Sequence, residues 1–84
     1  MTTPQDLSSW FDNGVKQGAT HMLVVCDTFD YEDYPVYSNG QKDTLDKYSY
    51  YNGSNMQKVM EVYDLAMSKD SQMKEHRALH LPRK

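Results

Sequence analysis

The chain predicts a single α+β domain, and three features carry that prediction. A short amphipathic helix with clear start and stop signals opens the sequence. A β-branched apolar run of strand length follows at residues 21–27, and apolar residues then recur at three- and four-residue spacing from Met56 to Met67. Eighty-four residues accommodate one such domain, 1–84. The expected architecture is an N-terminal helix, a small antiparallel β-hairpin, a short helix, and a long C-terminal helix packed on the sheet.

Each element has a local reason. Thr3-Pro4-Gln5-Asp6 supplies an N-cap threonine, a proline at the first helical position and an acid in the first turn. Leu7, Trp10, Phe11 and Val15 form its apolar stripe, and Gly18 stops it, with Asn13-Gly14 a weak point inside. His21-Met22-Leu23-Val24-Val25-Cys26-Asp27 reads as a strand whose alternating side chains are apolar on both faces. Both faces then need cover, and a second copy of the chain is an expected cover for one of them. An acidic turn from Thr28 to Asp33 leads into a return strand, Tyr34–Ser38. Pro35 places that strand at a sheet edge, because proline cannot donate to a ladder.

Asp43-Thr44-Leu45-Asp46 starts a short helix through Tyr51, closed by Asn52-Gly53, with a strand at Tyr48–Tyr51 as the alternative. Ser54 and Gln57 fit a capping box for the final helix, with Met56, Val59, Met60, Tyr63, Ala66 and Met67 as its stripe. A continuation or second helix is expected from about Gln72 to Leu81, ended by Pro82.

Net charge is −3, which disfavours a general nucleic-acid binder. The charge is uneven. Residues 1–41 carry six acids and the single base Lys16, whereas residues 42–84 carry eight bases and six acids. Lys74, Arg77, Arg83 and Lys84 make the end the most basic part, and such a tail could pair with another subunit's acidic loop. No apolar run is long enough to span a membrane. One cysteine and no signal-peptide pattern lead to the expectation of a cytoplasmic protein.

The acidic segment is the sharpest functional signal. Asp27, Asp30, Glu32 and Asp33 place four carboxylates within seven residues, interleaved with Phe29, Tyr31, Tyr34 and Tyr37. Tyrosine offers a large contact area with a polar tip, which suits a protein interface, and the same residues would also serve as inward positions of a hairpin. Converging carboxylates also suit Mg²⁺ or Ca²⁺, although the spacing is not that of an EF-hand. His76 and His80, four apart, would share one helical face, a zinc-ligand spacing that lacks the metalloprotease glutamate. Cys26 reads as a small buried residue, since His21 lies on the opposite face of its strand.

The run Gly18-Ala19-Thr20-His21-Met22-Leu23-Val24-Val25-Cys26-Asp27-Thr28-Phe29-Asp30-Tyr31-Glu32-Asp33-Tyr34-Pro35-Val36-Tyr37 resembles small uncharacterised proteins of bacteria and their phages. Asn55–Leu65 and Glu75-His76-Arg77 extend the likeness. That group has no established activity, so the resemblance implies no catalytic residue; it implies a phage or mobile-element accessory protein.

The leading expectation is therefore a small non-enzymatic binding or adaptor protein, a phage-encoded modulator or inhibitor of a host component. It would act through Asp27, Asp30, Tyr31, Glu32, Asp33, Tyr34 and Tyr37, without a cofactor. A homo-oligomer, preferably a dimer, and a host protein are the expected partners; nucleic acid and membrane are not. Two alternatives stand beside it. One is a metal-dependent hydrolase or nucleotide-processing enzyme with Asp27 and Asp30 on a cation and His76 or His80 shuttling a proton. The other is an oligomer that sequesters an anionic small molecule through Arg77, Arg83 and tyrosines of two subunits.

Overall fold

The computed structural model describes residues 3–53, 56–75 and 78–82. Helix α1 (Pro4–Gln17) leads into strands β1 (His21–Asp27) and β2 (Glu32–Ser38), helix α2 (Gln41–Tyr51), strand β3 (Gln57–Asp64) and the short helix α3 (Lys69–Met73). The α+β class is as expected. The sheet, however, has three antiparallel strands in the order β2-β1-β3, with β1 in the centre.

Local chemistry sets α1. The Thr3 hydroxyl accepts the Asp6 N–H, the Asp6 carboxylate accepts the Thr3 N–H, and Gly18 closes the helix in the left-handed conformation at φ 77°. The buried side differs from the expected stripe at one position: Gly14 is buried and Val15 is exposed. A methyl group on Gly14 would lie 2.7 Å from Leu65 Cδ1 and 2.8 Å from Tyr37 Cε1. The apparent weak point of the helix is thus where it approaches the sheet most closely, and the Tyr37 hydroxyl bonds the Trp10 carbonyl across the same contact.

β1 is apolar on both sides, as its alternation requires. Phe11, Met22, Val24, Tyr63, Leu65 and Ala78 form one buried cluster, flanked by Leu7 and Trp10 from α1 and Met73 from α3. Leu23, Val25, Val59 and Val62 form the other, flanked by Tyr48 and Tyr51 of α2 and by Leu81. The second face, for which another copy of the chain was an expected cover, is closed by α2 and the final segment. Helix α2 is seated by a buried relay in which the Ser38 and Thr44 hydroxyls bond at 2.6 Å and Thr44 donates to the Gly40 carbonyl.

The long C-terminal helix is absent: the stretch from Met56 to Met67 contains β3 instead. A β-bulge explains why its spacing looks helical. Val24 lies opposite Glu61 and Val25 opposite Val59, so Met60 is an extra residue that reverses the alternation. Val59 and Val62 therefore both face α2, while Met60 and Tyr63 both face α1. Apolar residues at 59, 60, 62 and 63 reproduce helical spacing on a bulged strand buried on both faces. Of the expected capping box, Ser54 lies outside the described residues, and Gln57 begins the strand.

The second expected helix, Gln72–Leu81, is likewise replaced. Ser68 caps α3, which ends at Met73, and residues 78–82 are not helical. Leu79 bridges Val62 in parallel, with Val62 donating to the Ala78 carbonyl and accepting from the His80 N–H. One residue pair further along β3, the Gln72 side chain acts as a surrogate peptide: its Oε1 accepts the Asp64 N–H at 2.7 Å and its Nε2 donates to the Asp64 carbonyl at 2.8 Å. Replacing Gln72 by leucine keeps the bulk and strands both backbone groups. We expect a loss of about 1–3 kcal/mol in urea denaturation, against little change for the exposed Ser71→Ala.

Candidate protein-interaction surface

The β1–β2 turn is built by its own first acid. Asp27 Oδ1 accepts the Phe29 N–H at 2.8 Å, and the Asp27 carbonyl accepts the Tyr31 N–H. Asp33 is also engaged, with its carboxylate beside the Cys26 thiol. Burial and then Asp33 push that thiol's pKa up, which disfavours the thiolate and fits a packing role for Cys26. Asp30 and Glu32 are exposed. Among the described residues no three His, Cys, Asp or Glu side chains converge on a point that could hold a metal ion.

Of the two histidines singled out in the sequence, only His80 is among the described residues. His76 lies outside the described residues. His80 lies outside any helix, with Nε2 at 2.6 Å from Glu75, and its N–H is bonded to the Val62 carbonyl. Along β3, Val62 is five residues from Gln57, the partner of Asp27, which is about 15 Å of strand. Among the described residues no helix is long and apolar enough to cross a membrane.

The seven residues singled out in the sequence divide by orientation. Tyr34 and Tyr37 are half-buried on opposite faces, packed against the α2-side and α1-side clusters respectively. Tyr34 also accepts a hydrogen bond from the Gln57 side chain. Asp27 and Asp33 have partners within the hairpin. Asp30, Tyr31 and Glu32 remain at the surface with Phe29, which is 71% exposed beside Tyr31 at 76%.

Chain topology adds two residues that sequence reasoning missed. Helix α2 runs back toward the turn, bringing Tyr50 (60% exposed) to the same end, edge-on to Tyr51 at 4.9 Å between ring centres. Met56, 57% exposed, stands where the chain enters β3; its carbonyl accepts both the N–H and the hydroxyl of Thr28 at 2.7 Å. One end of the molecule therefore presents Phe29, Tyr31, Tyr50 and Met56 with Asp30 and Glu32 among them.

Two of these residues are conformationally costly. Tyr31 at φ 58° and Met56 at φ 60° are the non-glycine residues with positive φ among the described residues. An L-residue pays roughly 1–2 kcal/mol for that region, which glycine occupies freely. Large apolar side chains held in such a backbone, and left in water, are a feature that stability alone does not favour.

Burial raises the pKa values of three tyrosines. Tyr63 is pushed up chiefly by burial and then by the Glu61 carboxylate that accepts its hydroxyl; Tyr37 rises through burial, and Tyr34 through burial and then Tyr51. These phenols stay neutral in the fold at a pH where the unfolded chain ionises. Their stabilisation is thus complete below about pH 10 and is lost as pH rises beyond it. We expect stability to fall by up to about 1.4 kcal/mol per pH unit above pH 10 from Tyr63 alone. In an absorbance titration of the phenolate band, part of the seven-tyrosine signal should appear only with the loss of far-UV dichroism. A single step near pH 10 with the fold intact would contradict this.

No protein-family model, curated protein or solved structure matches the chain.

Proposed function

We propose that the chain is a non-enzymatic binding protein that engages a basic protein surface through its hairpin end. The supporting observation is the pair Tyr31 and Met56, exposed and in left-handed backbone, on two loops joined by the Thr28–Met56 hydrogen bonds. Aromatic side chains on tight turns are suited to anchoring an interface, because little side-chain entropy remains to be lost on binding. Asp30 and Glu32 would then select a positively charged partner and speed its approach. A standard interface needs about 800 Å² from each partner, near one-seventh of this chain's 5457 Å² surface, which one end can supply. A phage-encoded modulator or inhibitor of a host component is a role such a surface would serve.

The test uses an arginine- and leucine-rich peptide carrying a fluorophore, with binding followed by polarisation. Tyr31→Ala and Phe29→Ala should each weaken binding by about 30-fold or more if they are anchors, and Glu32→Lys should abolish its salt dependence. Unchanged binding across all three variants would remove the hairpin end as the contact surface.

A further inference from the structure

Two acids meet across strands on the α2 side of the hairpin end. Leu23 and Val25 of β1 face α2, so Asp27, two residues further on, lies on that side. Its cross-strand partners there are Glu32 of β2 and Gln57 of β3. Like charges directly opposite each other destabilise a sheet, and Asp27 and Glu32 are such a pair. Helix α2 ends at the same place: the Gly53 N–H bonds the Gln57 carbonyl at 2.8 Å, and the Asn52 side chain accepts the Val59 N–H. That end is the negative pole of the helix dipole, and its last turn holds no base. The neighbouring lysines are directed elsewhere. Lys58 pairs opposite Cys26 on the other face of the sheet, and Lys47 is held by Asp43 at 2.8 Å.

Aromatic rings stand beside these charges. Tyr34, on the same face, accepts a hydrogen bond from the Gln57 side chain. Tyr50 and Tyr51 meet at 86° with ring centres 4.9 Å apart, two walls of a corner at the helix end. Tyr51 is half-buried against the β1 cluster, whereas Tyr50 is exposed. Burial, then Tyr51 and Asp27, push the Tyr34 phenol up, and Tyr50 adds to the effect, as neighbouring negative groups do.

We infer that this corner binds one arginine side chain of the protein partner. The inference rests on the reading of the hairpin end as a contact surface for a basic protein, and it names the side chain selected there. A guanidinium group matches each feature. Its planar fork donates to two carboxylates at once, its face lies on a tyrosine ring, and its charge is favoured at a helix C-terminus. A lysine ammonium relieves the same Asp27–Glu32 repulsion, but it is a strongly hydrated point charge without a flat face. Phe29, Tyr31 and Met56 supply the apolar contact beside the corner.

The test extends the polarisation assay to two further peptides, in which every arginine is replaced by lysine or by citrulline, its neutral isostere. Wild type should prefer the arginine peptide over the lysine one by about tenfold, and over the citrulline one by more. Asp27→Asn/Glu32→Gln removes both charges, and the new amide oxygen at position 27 still accepts the Phe29 N–H. This variant should unfold at no lower urea concentration than wild type, yet bind the arginine peptide about tenfold more weakly and lose the preference over lysine. Tyr50→Leu should cost the arginine peptide about fivefold and the lysine peptide less. Equal binding of the arginine and lysine peptides by wild type overturns the inference, as does a preference that survives Asp27→Asn/Glu32→Gln. If in that case Tyr31→Ala and Phe29→Ala still weaken binding, the hairpin end remains the contact surface and only the arginine corner fails. If they are silent as well, or no peptide binds wild type at millimolar concentration, both readings fail.

Discussion

Leu23→Ala should lower the thermal midpoint by about 15 °C. Leu23 sits at the centre of β1, fully buried with Val25, Val59 and Val62 under α2. Truncating a buried leucine costs about 2–5 kcal/mol, the removed methylenes and the cavity both contributing. A domain of this size holds only about 4–13 kcal/mol in total, and each kcal/mol moves the midpoint by about 4–8 °C. Urea denaturation and calorimetry measure the loss. Val15→Ala, at a position 51% exposed, should change stability by less than about 0.5 kcal/mol. A loss below about 1 kcal/mol at Leu23 would mean that α2 does not close that face of the sheet.

Tyr31→Gly should move stability and binding in opposite directions. Relief of the left-handed backbone at φ 58° outweighs the added freedom of glycine in the unfolded chain, for a gain of about 0.5–1 kcal/mol. The same substitution removes an aromatic anchor and should reduce affinity by about 30-fold or more. Met56→Gly should show the same opposition. Such a pairing of signs separates a binding residue from a structural one. Were Tyr31 there to hold the hairpin together, its loss would weaken the fold.

The contrast between what the residues announce and what they conceal follows from the range of the interactions. The ends of α1 are set within four residues by Thr3, Asp6 and Gly18, so they are readable one segment at a time. The edge position of β2 is likewise local, because Pro35 lacks a donor wherever it stands. β3 is different: its bulge at Met60 is defined only by pairing with β1, more than thirty residues away in sequence, and without that partner its spacing is that of a helix. The final segment is non-helical for the same reason, since Ala78 and Leu81 pack against opposite clusters beside the edge that β3 provides.

The candidate surface shows the same division. The acidic turn with Phe29 and Tyr31 is continuous in sequence and stands out there. Tyr34 and Tyr37 share its composition but pack on the sheet, a distinction made by strand parity and not by residue type. Tyr50 and Met56 join the surface because α2 runs back along the sheet and β3 starts beside the turn. A positive φ at Tyr31 or Met56 leaves no mark in the sequence, where each is an ordinary apolar residue.

The most direct test of the hairpin end is a photo-crosslinking scan in the cells that produce the protein. A benzophenone side chain would replace Phe29, Tyr31 or Tyr50 at the hairpin end, and Lys16 or Asn39 at the other end of the sheet. The proposed surface predicts covalent adducts to a basic partner from positions 29, 31 and 50 and not from 16 or 39. Adducts formed equally from both ends, or only from 16 and 39, would contradict it.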